Sequence, residues 1–151
     1  MSLAFLAPAA HAVSPLRRAL AGTSLVDVSD TGKVELRGDH AAFEAARIVR
    51  LTPRRAIVLT DDPECCVAEA RAAGLRAYDL TGAFAGIRIE GEQLLRRLTQ
   101  VDVSAPTAAP VAGDVSALIF PVGDGGYELY VPQELGHQLA LVVLDLQAGL
   151  A

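Results

Sequence analysis

The side chains best suited to acid and base chemistry are two aspartates, Asp27 and Asp79, which occupy matching places in two similar stretches. Each is followed two positions later by a hydroxyl residue, Ser29 in the first stretch and Thr81 in the second. Two carboxylates brought together could act as general acid and base. An Asp before a turn can instead accept hydrogen bonds from the backbone amides that follow it. We favour this second role, because the repeat by itself accounts for the pair.

The other reactive side chains form no recognisable catalytic or metal-binding set. Cys65 and Cys66 are adjacent and cannot make an ordinary disulfide with each other. They lie near Glu rather than His, which favours two plain packed thiols over a reactive one. The histidines, His11, His40 and His137, stand alone without the spacing of zinc ligands. Since nucleophile-elbow and phosphate-loop motifs are also missing, we expect no catalytic, cofactor-binding or metal-binding residue.

Charge and composition argue against nucleic-acid binding and against a membrane span. The chain has 151 residues, with 18 acidic and 13 basic side chains and a net charge of -5, whereas nucleic-acid binding requires a basic stripe. The nearest approach to one is Arg47, Arg50, Arg54 and Arg55, interpreted as the solvated face and exit of a helix in preference to an anion or partner contact. No apolar run approaches the length of a transmembrane helix. The lack of a disulfide framework fits a reducing compartment, so we expect a cytoplasmic protein.

Residues 1–23 are expected to form an apolar arm followed by a short helix. The arm lacks the basic start of a signal peptide. Ser14 and Pro15 are typical of the first positions of a helix, predicted here to run to Leu20 and to end at Gly22.

The remainder of the chain predicts alternating strands and helices. In the first half, a tight turn joins two strands. A helix, a buried strand and a second helix follow them. These elements are Ser24–Val28, Lys33–Arg37, His40–Arg50, Ala56–Leu59 and Pro63–Gly74. In the second half we expect two strands, a helix, a Pro- and Ala-rich loop, a hairpin and a long helix. These are Ala77–Leu80, Gly86–Glu90, Glu92–Leu98, Asp102–Gly113, Ala117–Val122 with Tyr127–Val131, and a helix from Pro132 or Gln133 to Gln147.

The two halves look like copies of one pattern. Val34–Gly38 corresponds to Ile87–Gly91, and Gly32 is matched to Gly86 with one extra residue in the second copy. We therefore predict an α+β fold with helices packed on an antiparallel or mixed sheet. It would be a single domain, residues 24–151, made of pseudo-repeats 24–75 and 76–151, because half a chain of this size would be only marginally stable.

The final predicted helix is apolar on nearly every side, so it needs to be covered on nearly every side. Either the N-terminal arm or another chain could cover it. The candidate partner-contact residues are Leu3, Phe5, Leu6, Leu139, Val142, Val143 and Leu146.

Two stretches, 27–38 and 86–103, resemble the aminomethyltransferase folate-binding fold that includes the T-protein of the glycine cleavage system. The small size, the Ser14-Pro15-Leu16 start and the segment 126–132 before an apolar helix resemble the gamma subunits of heterotetrameric sarcosine oxidases. This resemblance implies a non-catalytic subunit of a flavin-dependent oxidase or dehydrogenase for sarcosine, another N-methyl amino acid or a related amine, within one-carbon metabolism. Flavin and folate would then be bound by larger flavoprotein partner subunits and not by this chain.

The sequence departs from the T-protein pattern at 104–110, where Ser, Ala, Pro and Thr replace an acidic segment that reaches the pterin of folate. Folate binding is therefore not carried over to this chain. An alternative is a stand-alone T-protein-like module that binds folate or another small acid through Arg88, Arg96 and Arg97. A third possibility is a homodimer joined through the final helix.

Overall fold

Two antiparallel sheets with helices on their outer faces make up residues 13–112 and 115–151, which the computed structural model describes. The strands are β1 Val26–Asp27, β2 Gly32–Arg37, β3 Ile48–Thr52, β4 Arg55–Thr60, β5 Arg76–Asp79, β6 Phe84–Glu90, β7 Thr107–Val111, β8 Val115–Val122 and β9 Gly126–Pro132. The helices are α1 Pro63–Ala72, α2 Glu92–Leu98 and α3 Gly136–Ala148. The expected α+β class with antiparallel pairing is confirmed.

The two sheets exchange strands. One sheet has the order β1-β6-β9-β8-β7 and the other has the order β3-β4-β2-β5. Asp27 on β1 lies opposite Ile87 on β6, and Asp79 on β5 lies opposite Val34 on β2. The two strands predicted on either side of a tight turn are present, but they do not pair with each other, because each pairs with a strand from the other half of the chain.

Helix α1 begins at the predicted residue and ends two residues before the predicted end. The Asp62 carboxylate accepts a hydrogen bond from the Cys65 amide at 2.9 Å, and Pro63 occupies the first helical position, where no amide donor is needed. Gly74 follows the helix with φ +84°, a conformation that glycine adopts without steric cost.

The predicted helix from His40 to Arg50 is wrong. Its first part is irregular and its last part belongs to β3, where Val49 lies opposite Ile57. The Arg50 guanidinium donates to the carbonyl oxygens of His40 at 2.5 Å and Phe43 at 2.8 Å. These bonds give the backbone partners that a helix would otherwise supply.

Two further predictions of local structure differ from the structure. Ser14 to Leu20 forms successive turns in place of a helix, although the Ser14 hydroxyl accepts from the Leu16 amide at 3.1 Å as a cap would. The predicted loop from Asp102 to Gly113 contains strand β7. Pro110 is compatible with β7 because this strand lies at the edge of its sheet, where a missing amide donor is tolerated.

The apolar core has three parts that define four layers. One part packs α1 on the four-stranded sheet, and another packs α2 and α3 on the five-stranded sheet. The third lies between the sheets and joins Ile57 and Leu59 of β4 to Phe120 and Tyr130 of β8 and β9. Helix, sheet, sheet and helices therefore follow one another through the molecule.

Candidate functional site

The two aspartates that open the sequence analysis form matching turns. The Ser29 amide donates to Asp27 Oδ1 at 3.0 Å, and the Thr81 amide donates to Asp79 Oδ1 at 2.9 Å. The Ser14 hydroxyl also donates to Asp27. Although burial opposes its charge, these hydrogen bonds from Ser14 and Ser29 hold the pKa of Asp27 below its usual value. Both carboxylates bond the local backbone, which confirms the structural role favoured from the sequence.

The backbone around these turns repeats from one sheet to the other. The Val28 amide donates to the Gly86 carbonyl at 2.9 Å, and the Leu80 amide donates to the Lys33 carbonyl at 2.8 Å. In each case the residue that follows the aspartate of the turn, Asp27 or Asp79, bonds to a strand from the other half of the chain.

The hydroxyl residues of the turns repeat the same relation. The Gly86 amide donates to Ser29 Oγ at 3.0 Å, and the Lys33 amide donates to Thr81 Oγ1 at 3.1 Å. Lys33 therefore corresponds to Gly86. The match of Gly32 to Gly86 made from the sequence is wrong by one residue, because it aligned glycines and not hydrogen-bonding positions.

Lys33 is the most unusual side chain of the structure, because it is a completely buried lysine. Its ammonium group donates to the Ser29 carbonyl at 2.6 Å and approaches the Thr81 carbonyl at 3.4 Å, so it contacts both turns. The Nζ atom also lies 4.9 Å from the centre of the Tyr130 ring, within cation–π range. Burial lowers the pKa of Lys33 to about 8, although the nearby carboxylates, Asp30 first among them, favour the charged form.

A buried carboxylate lies between the sheets next to Lys33. Glu128 accepts hydrogen bonds from the Tyr130 hydroxyl at 2.7 Å and from the Arg47 guanidinium. Burial, together with the bond to Glu128, raises the pKa of Tyr130. The Arg47 guanidinium lies 5.7 Å from the centre of the Phe120 ring, within cation–π range. Arg47 therefore links the polar cluster to the apolar core.

Lysine, tyrosine and glutamate together could transfer protons, but this cluster has no access for a substrate. Lys33 and Tyr130 are 0% exposed, and five surface depressions formed by the described residues are lined by other side chains. A general acid or base must come within hydrogen-bond reach of its substrate. The cluster therefore joins the two sheets, and its lysine and tyrosine lie out of reach of a substrate.

The cysteines have the character of unreactive thiols. Cys65 is exposed and Cys66 is buried against the core of α1. The hydrogen bond of Cys65 to Glu69, and the negative charge of Glu69, raise the pKa of Cys65, while burial raises the pKa of Cys66. A higher pKa leaves less thiolate at neutral pH, so neither thiol is activated as a nucleophile.

The described residues contain no group of three or more His, Cys, Asp or Glu side chains arranged to hold a metal. The His40 ring lies between the Thr52 carbonyl, 2.7 Å from Nε2, and the Arg50 guanidinium, 2.7 Å from Nδ1. His11 lies outside the described residues.

Arg88, Arg96 and Arg97, which were considered as a binding site for a small acid, do not converge on a closed pocket. Arg88 pairs with Glu90 at 2.8 Å and Arg96 pairs with Glu92 at 2.6 Å, and Arg97 lies on the exposed side of α2. An open depression of about 310 Å³ next to Arg96 is lined mainly by α2 and residues 99–103. Ligand sites usually enclose most of a small molecule, so this shape gives little support to the folate-binding alternative.

Helix α3 carries the partner-contact candidates that lie within the described residues. Leu139 and Val143 are buried in the core of this chain, and Val142 and Leu146 pack at its margin. The exposed large apolar residue of the helix is Leu141, at 53%. Leu141 was not among the candidates. The sequence of α3 is apolar on nearly every side, so it does not indicate which face packs on the sheet of the same chain and which face remains exposed.

The other candidates, Leu3, Phe5 and Leu6, lie outside the described residues. In the part of the chain that is described, no helix has the length and apolar character needed to cross a membrane.

One chain of a solved structure has the same arrangement of sheets and helices. That structure is the heterotetrameric sarcosine oxidase from Corynebacterium sp. U-96 in complex with pyrrole 2-carboxylate, and the superposition has a TM-score of 0.78. It covers 91% of this chain and 95% of the other. This chain has the fold of a sarcosine oxidase chain. The sequences are 14% identical, so the likeness concerns the fold. No family model matches the sequence, and no curated protein matches it.

Proposed function

We propose that this chain is a non-catalytic subunit of a hetero-oligomeric flavin-dependent oxidase or dehydrogenase that acts on sarcosine, another N-methyl amino acid or a related amine. The observation that carries the proposal is the match of nearly the whole chain to nearly the whole of one chain from a heterotetrameric sarcosine oxidase. A match of this extent on both sides is typical of whole subunits and not of a shared small motif.

The chemistry of the described residues supports a non-catalytic role. Lys33 and Tyr130 of the titratable cluster between the sheets are completely buried, and the pKa of the exposed Cys65 thiol is raised. Flavin and folate would therefore be held by larger flavoprotein partners, and the complex would work in the cytoplasm, where unpaired cysteines such as Cys65 and Cys66 persist.

We also propose that the fold is a duplicated, T-protein-like single domain with pseudo-repeats 24–75 and 76–151. The support comes from the matched hydrogen bonds of the two turns, in which Lys33 and Gly86 accept and donate in the same order. The exchange of β1 and β5 between the sheets requires both repeats to fold together.

A partner surface on α3 is consistent with this role. Leu141 is exposed, and Val142 and Leu146 are partly exposed at the margin of the core. Stable interfaces bury about 800 Å² per partner and have an apolar centre, so Leu141 would be part of such a centre.

The test is a native pull-down of the full chain from its own cells, followed by an absorption spectrum of the purified material. We expect larger chains with a flavin spectrum and amine-dependent oxidase activity. The variant Leu141→Asp should lose these partners, whereas Ala68→Asp, an exposed change on α1, should retain them. A colourless chain that is recovered alone would contradict the proposal. In that case light scattering and folate titration would separate the homodimer from the small-acid module.

A further inference from the structure

Three arginines stand in one row across three neighbouring strands. Arg37 on β2 lies directly opposite Arg55 on β4 and, on its other side, directly opposite Arg76 on β5. Residues that are directly opposite in a sheet project from the same face. With neighbouring strands about 4.8 Å apart, the row extends over about 10 Å.

Arg54 adds a fourth cation beside this row, and its backbone is fixed. It lies in the turn between β3 and β4, where its amide donates to Thr52 Oγ1 at 3.2 Å and its carbonyl accepts from the Gly38 amide at 3.0 Å. A shallow depression of about 420 Å³ is lined by these four arginines with Gly38 and Thr52. We call Arg37, Arg54, Arg55 and Arg76 the arginine cluster.

Glu35 is the carboxylate that balances part of this charge. It is buried and accepts hydrogen bonds from Arg55 and from Arg37 Nε, the latter at 3.2 Å. Although burial opposes it, these two bonds hold the pKa of Glu35 below its usual value. Within residues 13–112 and 115–151, no carboxylate lies at ion-pair distance from Arg54 or Arg76.

Folding gives no reason to place these cations together. Like charges directly opposite each other weaken strand pairing, and a single carboxylate does not neutralise four guanidinium groups. Glu35 instead orients two of the side chains, and all four arginines remain exposed.

We propose that the arginine cluster is a docking surface for an acidic segment of a partner polypeptide. The guanidinium group forms paired hydrogen bonds with carboxylates, and a fixed row of such groups presents several of them at once. The net charge of -5 opposes the approach of a long polyanion, and the row is too short for the basic stripe that nucleic acids require. This surface is independent of α3 and of the oxidase role.

The test measures binding of a labelled hexaglutamate peptide to the full chain by fluorescence anisotropy at low and at high salt. The double variant Arg54→Gln/Arg76→Gln removes two charges that make no ion pair with another described residue. The control Arg17→Gln/Arg18→Gln removes the same number of charges from exposed positions before β1. We expect the first double variant to weaken binding at least fivefold and the control to change it less than twofold, with urea unfolding curves unchanged.

Three results would overturn the inference. The first is no binding at low salt, and the second is an equal loss in both double variants, which would indicate a general charge effect. The third is tighter binding of a six-nucleotide single-stranded DNA or of inorganic phosphate than of hexaglutamate, which would assign the cluster to phosphate groups.

Discussion

Lys33 and Gly86 hold the same position in two different sheets. The carbonyl of each accepts from the residue that follows a turn aspartate, and the amide of each donates to the hydroxyl of the turn. The two positions differ in their side chains, since Lys33 has a long buried side chain and Gly86 has none. The Lys33 side chain contacts both turns at the junction of the sheets, whereas the Tyr130 ring leaves no space for a side chain at Gly86.

The first prediction concerns the Lys33 charge. The unfolded chain keeps the lysine proton up to a pKa of about 10.5, whereas the folded chain releases it near pH 8. Between these values the unfolded state binds more protons, so the free energy of unfolding contributed by Lys33 rises with pH, by at most about 1.4 kcal/mol per pH unit.

The measurement is urea unfolding of the wild type and of Lys33→Met from pH 7 to pH 10.5. The difference between the two proteins cancels the titration of the cysteines and tyrosines. Stability of the wild type relative to the variant should increase between pH 8 and pH 10.5 and level off outside this range. A difference that is constant with pH would contradict a lowered Lys33 pKa.

The second prediction is that Gly86→Ala destabilises the fold. A methyl group at this position would collide with the Tyr130 ring and press on Val28, and overpacking of this kind costs about 1–3 kcal/mol. Gly82→Ala is the matched control, because no atom lies within 4 Å of its added carbon and its φ is not positive. Thermal melts of both variants check the prediction, and equal melting temperatures would refute it.

The third prediction concerns the ion pair between the sheets. Arg47→Met leaves the buried Glu128 carboxylate with the Tyr130 hydroxyl alone, and we expect a loss of about 1–3 kcal/mol. A double-mutant cycle with Glu128→Gln isolates the interaction. If the two single changes simply add, the pair contributes nothing of its own.

The fourth prediction concerns thiol reactivity. In the native protein Cys65 should react slowly with iodoacetamide at neutral pH, and Cys66 should react only after unfolding. Glu69→Gln removes the negative charge that contributes to the raised pKa of Cys65, so this variant should be alkylated faster at Cys65. Mass spectrometry of the alkylated peptides follows both sites. Fast labelling of Cys66 in the folded chain would show that α1 opens readily.

The fifth prediction concerns the start of α1. Asp62→Ala removes the carboxylate that accepts from the Cys65 amide and should cost about 1 kcal/mol. Asp61→Ala, a change at the exposed neighbouring position, should change stability by less than about 0.5 kcal/mol. Chemical denaturation distinguishes the two, and similar losses would mean that the cap contributes only through its charge.

Elements whose signals are local were predicted well from the sequence. Helix α2 has the predicted bounds Glu92–Leu98, α1 differs by two residues at its end, and the hairpin of β8 and β9 surrounds the glycine-rich turn. In each case the capping residue, the turn glycines or the apolar run specify the structure without help from distant residues.

Elements that depend on distant partners were predicted poorly. The Ala-rich stretch from His40 to Arg50 has helical spacing, yet pairing with β4 makes its end a strand. The position of Lys33 shows the same limit. Its burial depends on Tyr130 and on two turns about fifty residues apart, and no local pattern reports such a contact.

The exchange of strands between the sheets also constrains how the chain is made. Ser29 and Gly86, which bond across the junction, are separated by 57 positions. During synthesis the segment around β1 must remain unpaired until β6 has left the ribosome. Because long-range pairings close late and slowly, we expect no nascent chain that stops before β6 to hold a native sheet junction.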